Sequence, residues 1–251
     1  MTDILLIELI KLKELKYLWL LPVCILAPVM IGYIKWYEVH QQYGYVIGWN
    51  YVFPIVEIEA TNGLLMIVVA LFSSLLFINE YSTGCIYNMF IYPHSRVKFF
   101  LGKMIVSFLI CFVSAFLLFV FTVAVGVILL RTLPFPWLIW HHIKIHLYIT
   151  ILLFLLIPLT AMISIIGKSF IVTLLFTLSI YVLNLIFGSV ISLQLLPWNV
   201  LTNVVQSLQI GMAPQFGLNK IDNFTPYVLS CIFTFFLPLI GSIVYYIKAD
   251  V

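Results

Sequence analysis

Apolar positions along this chain do not alternate with polar ones; they gather into blocks. Six blocks approach or exceed the roughly 20 residues that a helix needs to cross a bilayer, at about 17–34, 62–78, 104–130, 147–166, 170–195 and 225–247. Polar residues collect in the connectors, a pattern that predicts an all-α integral membrane protein. Six transmembrane helices would form a single domain over residues 1–251. Two stretches depart from the pattern. In residues 1–16, Leu5, Leu9, Leu12 and Leu15 recur at spacings of four and three, while Glu8, Lys11 and Glu14 fall on another face. This predicts an N-terminal amphipathic helix on the membrane interface, with Glu8, Lys11 and Lys13 as its charged groups. Residues 196–224 prolong the charge-free run from Ser169 to Leu218, but carry Asn199, Asn203, Gln206, Gln209 and Gln215 with Pro197 and Pro214. Amides at that density predict an outer re-entrant or interfacial segment before the last span, not a seventh span.

Composition narrows the class. Only 8% of residues are charged and 64% are hydrophobic, whereas a soluble domain is about 25% charged. A net charge of +3 is too small to argue for a nucleic-acid partner. Its distribution is more useful. With the N-terminus inside, Lys11, Lys13, Lys16, Arg96, Lys98, Lys103, Lys168 and Lys248 fall on the cytoplasmic side, against Lys35, Arg131, Lys144 and Lys220 outside. That bias predicts a multi-pass protein of the cell membrane with both termini cytoplasmic. Trp36, Tyr37, Trp49, Trp137, Trp140 and Trp198 cluster near the outer edges, as anchors facing membrane lipid do. Cys24, Cys111 and Cys231 lie in apolar spans and Cys85 in a polar loop, with no C-x-x-C spacing, so neither a disulfide framework nor a cysteine metal site is expected. The long charged start, followed by Pro22 and Pro28, does not read as a cleaved signal peptide.

Candidate chemistry is sparse. The six blocks contain no ionisable side chain at mid-depth, which argues against an ion-coupled transporter, and no ring of charge suggests a channel. His142 and His146 in WHHIKIH share a helix face, with His141 beside them. No carboxylate or cysteine stands near in sequence, so solvation at the interface is expected ahead of metal binding. Glu57 and Glu59 precede the second block and read as helix-capping charges, or as groups facing a cationic cargo. Asn184 and Gln194 are candidate polar contacts between helices or pathway residues, and Asn62-Gly63 marks a helix start. No paired acid, metal set or Ser/His dyad lies in the spans, so no catalytic residue and no enzyme activity is expected on this chain.

The loop Asn79–Lys103 is the most informative segment. Glu80, Ser82, Thr83 and Gly84 form a polar exit from the second block. Ile86, Met89, Phe90 and Tyr92 suit a short helix on the membrane, ended by Pro93. Arg96, Lys98 and Lys103 would anchor the re-entry at the headgroups. The order Glu80-Tyr81, Gly84, Pro93, Ser95-Arg96, Phe99 or Phe100, Gly102-Lys103 resembles the loop between the second and third spans of type-2 ABC export permeases. The N-terminal Glu8, Lys11, Lys13, Lys16 and Trp19 are similar to the same permeases, closest to the branch of bacitracin resistance, lantibiotic immunity and phenol-soluble-modulin export. Cys85 and His94 depart from that family's usual residues.

The resemblance implies that residues 79–103 are a cytoplasmic coupling loop. Glu80, Tyr81, Gly84, Tyr87, Asn88, Pro93, Ser95 and Arg96 would then meet an ABC ATPase subunit dimer. This chain lacks G-x-x-x-x-G-K-[ST], so it would hold no cofactor, and ATP and Mg would sit on the partner. A second permease copy or a sister permease would complete the pathway. Its cargo would be hydrophobic or amphipathic molecules, peptides first, a class to which 21 Phe, 14 Tyr and 6 Trp are suited. The competing expectation is a membrane immunity or receptor protein that binds a toxin or partner without moving it.

Overall fold

A chain this apolar must satisfy its backbone N–H and C=O groups internally, and helices do so within one segment. The computed structural model describes residues 2–14, 18–43, 48–82, 96–187, 196–209, 221 and 223–248, and every regular element among them is helical. In chain order these are α1 (Thr2–Glu14), α2 (Leu20–Tyr43), α3 (Trp49–Glu59), a π-helical turn (Ala60–Leu64), α4 (Leu65–Ser82), α5 (Arg96–Leu130), α6 (Pro136–Gly167), α7 (Phe170–Phe187), α8 (Pro197–Gln209) and α9 (Thr225–Lys248). Pro136 opens α6 where no intrahelical N–H is required, and Lys168 closes it in the left-handed conformation at φ 46°. Pro28, Pro54, Pro158 and Pro238 lie inside helices, as prolines in membrane helices do when neighbours serve the freed carbonyls.

Among the described residues, five helical stretches are long and apolar enough to cross a membrane: Leu20–Gln42, Trp49–Asn79, Val97–Leu130, Pro136–Gly167 and Thr225–Tyr245. Phe170–Ile186 is a shorter apolar helix at the position of the fifth expected span. This agrees with a multi-span all-α membrane protein. Three spans begin earlier than hydropathy places them, at Trp49 instead of 62, at Val97 instead of 104 and at Pro136 instead of 147. The added turns carry Glu57, His142 and His146, which depress a hydropathy average yet are buried in the bundle. These groups lie outside the six blocks read from hydropathy, in turns that the helices add at their ends.

α6 is the central helix, packed against α4, α5, α7, α8 and α9. Trp49–Asn79 is interrupted at the π-helical turn, where Gly63 takes φ 129°. A Cβ at that position would stand 2.6 Å from the Tyr181 ring on α7, so both backbone and space require glycine. Asn62-Gly63 thus marks a break within the span more than its start. Trp36 and Trp49, expected as interface anchors, are buried; the Trp49 indole N–H donates to Thr132 O at 3.2 Å. Trp137, Trp140 and Tyr37 are exposed.

α1 packs along α5. Ile4 and Glu8 are its buried residues, while Leu6, Ile7, Leu9 and Ile10 are exposed. The cause lies on α5. Gly102 leaves room for α1 to approach, since a Cβ there would stand 3.0 Å from Ile4 Cγ2, and Lys103 supplies a partner for Glu8.

Candidate functional site

Among the described residues, two buried charge clusters lie at opposite ends of the bundle. The first sits where α4 ends and α5 begins, on either side of residues 83–95. Lys103, on the second turn of α5, is 1% exposed. Its Nζ donates to Leu76 O on α4 at 2.7 Å and to Glu8 Oε2 on α1 at 3.2 Å. The other oxygen of Glu8 accepts from Lys11 Nζ at 3.1 Å. One ammonium therefore joins the helix entering the loop, the helix leaving it and the N-terminal helix. Lys103 does not reach toward headgroups, as its place in the basic trio suggests; it turns inward because a carboxylate and a carbonyl meet it there.

The second cluster is built around Glu57 of α3, which has no solvent exposure. Its Oε1 lies 2.7 Å from His142 Nδ1 and 3.3 Å from His146 Nδ1, both on α6. His146 Nδ1 also lies 2.8 Å from His142 O, and since a carbonyl only accepts, that nitrogen carries the proton. Glu57 Oε2 accepts from Gln209 Nε2 on α8. Phe53 stacks on His142 with ring centroids 4.2 Å apart, and Phe119 meets His146 edge-on at 5.2 Å. Thr61 Oγ1 donates to Glu57 O at 2.8 Å, and Thr202 Oγ1 of α8 donates to Thr61 O at 2.9 Å. Glu57 is thus neither a helix cap nor open to a passing cation. The spacing of His142 and His146 was visible in the sequence; their carboxylate partner, 85 residues away, was not. Among the described residues, no three His, Cys, Asp or Glu side chains converge as metal ligands.

Other sequence candidates are scattered. Glu59 pairs with Lys35 at 2.7 Å near the surface and does not join Glu57. Asn184 is half-buried on α7, apart from both clusters. Lys13 is exposed on α1. Glu80 and Tyr81 lie in the last turn of α4 and Arg96 opens α5, while Gly84, Tyr87, Asn88, Pro93, Ser95 and Gln194 fall outside the described residues.

A groove of about 480 Å³ runs between α6, α8 and α9. Leu152, Val204, Leu208, Val228 and Phe235 line it, with Tyr148 at its wall. α8 is what shapes it: Asn199, Thr202 and Gln209 are buried, while Val204 and Leu208 lie along the groove.

These features can be set beside known proteins. The model of the ABC-2 family transporter protein matches residues 4–184, well over half of the 251. The chain belongs to this family. It is accordingly a membrane-spanning permease component of an ABC transporter, a class in which a separate ATPase is the partner. The match takes in α1 through most of α7, and so both charge clusters apart from Gln209 and Thr202 of α8. No curated protein and no solved structure gives a match.

Proposed function

We propose that this ABC-2 permease exports hydrophobic or amphipathic molecules, peptides among them, and draws its energy from ATP hydrolysed on a separate subunit bound at residues 79–103. The observation that carries the reading is Lys103. Its ammonium ties α4, α5 and α1 together at the one segment where both flanking helices can be pulled at once. A push on that segment moves three helices as a unit, which is what coupling to an external motor requires. Glu80, Arg96 and the polar residues between them are the contact surface for the ATPase dimer in this reading, on the cytoplasmic side, and a second permease copy or sister chain completes the pathway.

The groove supports the cargo class. Its volume lies within the range of about 300–1,000 Å³ usual for small-molecule pockets, and its lining is apolar, so it favours an aliphatic or aromatic segment over a solvated ion. Export at the expense of bound nucleotide also suits a bundle whose buried Glu8, Glu57 and Lys103, among the described residues, are held by partners.

The test is co-purification with the candidate ATPase and an export assay on an amphipathic peptide, comparing wild type with Arg96→Glu. The expected result is loss of both association and ATP-dependent export. Retention of both in the variant overturns the coupling assignment. A wild-type chain that binds the peptide and never moves it favours a receptor or immunity role.

A further inference from the structure

Coupling at the loop end leaves Glu57 unused. A carboxylate fully buried in a membrane helix is costly, and such groups mark function together with the partners that hold them. Its partners here divide by helix. His142 and His146 of α6 hold one oxygen, and Gln209 of α8 takes the other.

α8 needs such a contact. It is a helix of 13 residues, and in a bilayer the burial of Val200, Leu201 and Val205 does little to keep it docked, because lipid chains are as apolar as the protein. Polar contacts decide its place instead. Two of them converge on the interruption between α3 and α4: Gln209 reaches Glu57 one turn before it, and the Thr202 hydroxyl reaches Thr61 O within it. In the π-helical turn the ordinary ladder is broken, and the Thr202 hydroxyl gives the Thr61 carbonyl a partner from outside its own helix. α8 is therefore fastened along its polar side to a helix break and presents its apolar side to the groove.

We infer that Glu57 is the positioning residue for α8, holding it as a movable wall of the groove that departs when the Glu57–Gln209 contact breaks. What the opened wall admits rests on the transport reading; the fastening itself does not. His142 and His146 fix the carboxylate from α6, so the hinge side stays in place while α8 moves.

Thiol labelling tests this. Cys24, Cys85 and Cys231 are replaced by Ala, Val205→Cys on α8 is introduced as the reporter, and Cys111, buried in α5, is kept as an internal reference. Open membrane fragments from the expressing cells are treated with a membrane-impermeant maleimide, and labelling of each site is followed by mass spectrometry. Adding Glu57→Leu is expected to raise the rate at the residue 205 thiol about tenfold, the equivalent of one lost hydrogen bond to a charged group, with the Cys111 rate unchanged. Gln209→Leu should do the same from the α8 side. Glu57→Gln, which keeps one carbonyl acceptor and can still pair with the Gln209 amide once that amide turns over, should raise it less. An unchanged rate at 205 in both leucine variants overturns the inference, and so does a parallel rise at Cys111, because the carboxylate would then merely stabilise the whole bundle. Should Glu57→Leu not accumulate, Gln209→Leu decides by the same criteria. The assay uses neither cargo nor ATP, so faster labelling beside failed export counts against the transport reading alone.

Discussion

Replacing Lys103 with Met should expose the value of the loop-end cluster. Methionine nearly matches the lysine stem in length and removes only the charge and the donors. Two contacts are lost, the bonds to Leu76 O and Glu8 Oε2, while Lys11 remains 3.1 Å from Glu8 Oε1. Stranding one member of a buried pair costs about 3–5 kcal/mol. The surviving Lys11 offsets part of that, since it is only partly exposed and stays beside the carboxylate, so about 2–3 kcal/mol is expected. For a chain of this length each 1 kcal/mol corresponds to roughly 2–4 °C, so the melting midpoint in detergent should fall by about 4–12 °C. The double variant Glu8→Leu with Lys103→Met removes both charges. It should recover much of the loss, because an apolar replacement of a whole buried pair is often neutral. The assay is intrinsic-fluorescence melting of the four species of a double-mutant cycle. Strictly additive losses would refute the reasoning, as they would mean that Glu8 and Lys103 stabilise the bundle independently.

Three further outcomes follow from packing. Gly63→Ala should lower the melting midpoint by several degrees, because the residue sits at φ 129° and its Cβ would press on the Tyr181 ring; a midpoint equal to wild type would contradict the helix break. Gly126→Ala should also destabilise, by about 1–3 kcal/mol, since its Cβ would meet the Trp49 ring and stand 2.5 Å from Tyr33 Oη, whose own hydroxyl donates to Thr122 O; the same melting assay reads it. Val204→Trp should fill the groove and reduce export of an amphipathic peptide while ATPase association persists, and unchanged export would remove the groove from the cargo path.

How legible this was in the sequence depended on whether a signal was local. The spans are local, and hydropathy found them. It shortened three at their starts because Glu57, Lys103, His142 and His146 look like solvated charges when counted one at a time. The glycine at 63 was also visible, since a backbone constraint is written in a single residue. Pairing is different. Glu8 was read with Lys11, its neighbour by three, and that contact exists; the deeper partner, Lys103, is 95 residues away on a helix that approaches only because Gly102 lets it.

The same blindness hid the buried ionisable groups at the helix ends. A bilayer penalises an isolated charge, so a charge kept there must be paired, and the partner is free to come from any helix. In this chain the pairings occur where one helix gives way to another. Lys103 gathers α1, α4 and α5 beside residues 83–95, and Glu57 gathers α6 and α8 beside the break at Ala60–Leu64. Between them run α4, α5 and α6, whose packing away from Lys103 and His146 is mostly apolar and so gives little preference over lipid for one arrangement. Apolar helix faces can slide at little cost, whereas each charge knot must either hold or break. A motion delivered at the Lys103 end therefore meets discrete resistance next at the Glu57 end, and that is where the bundle has the means to open.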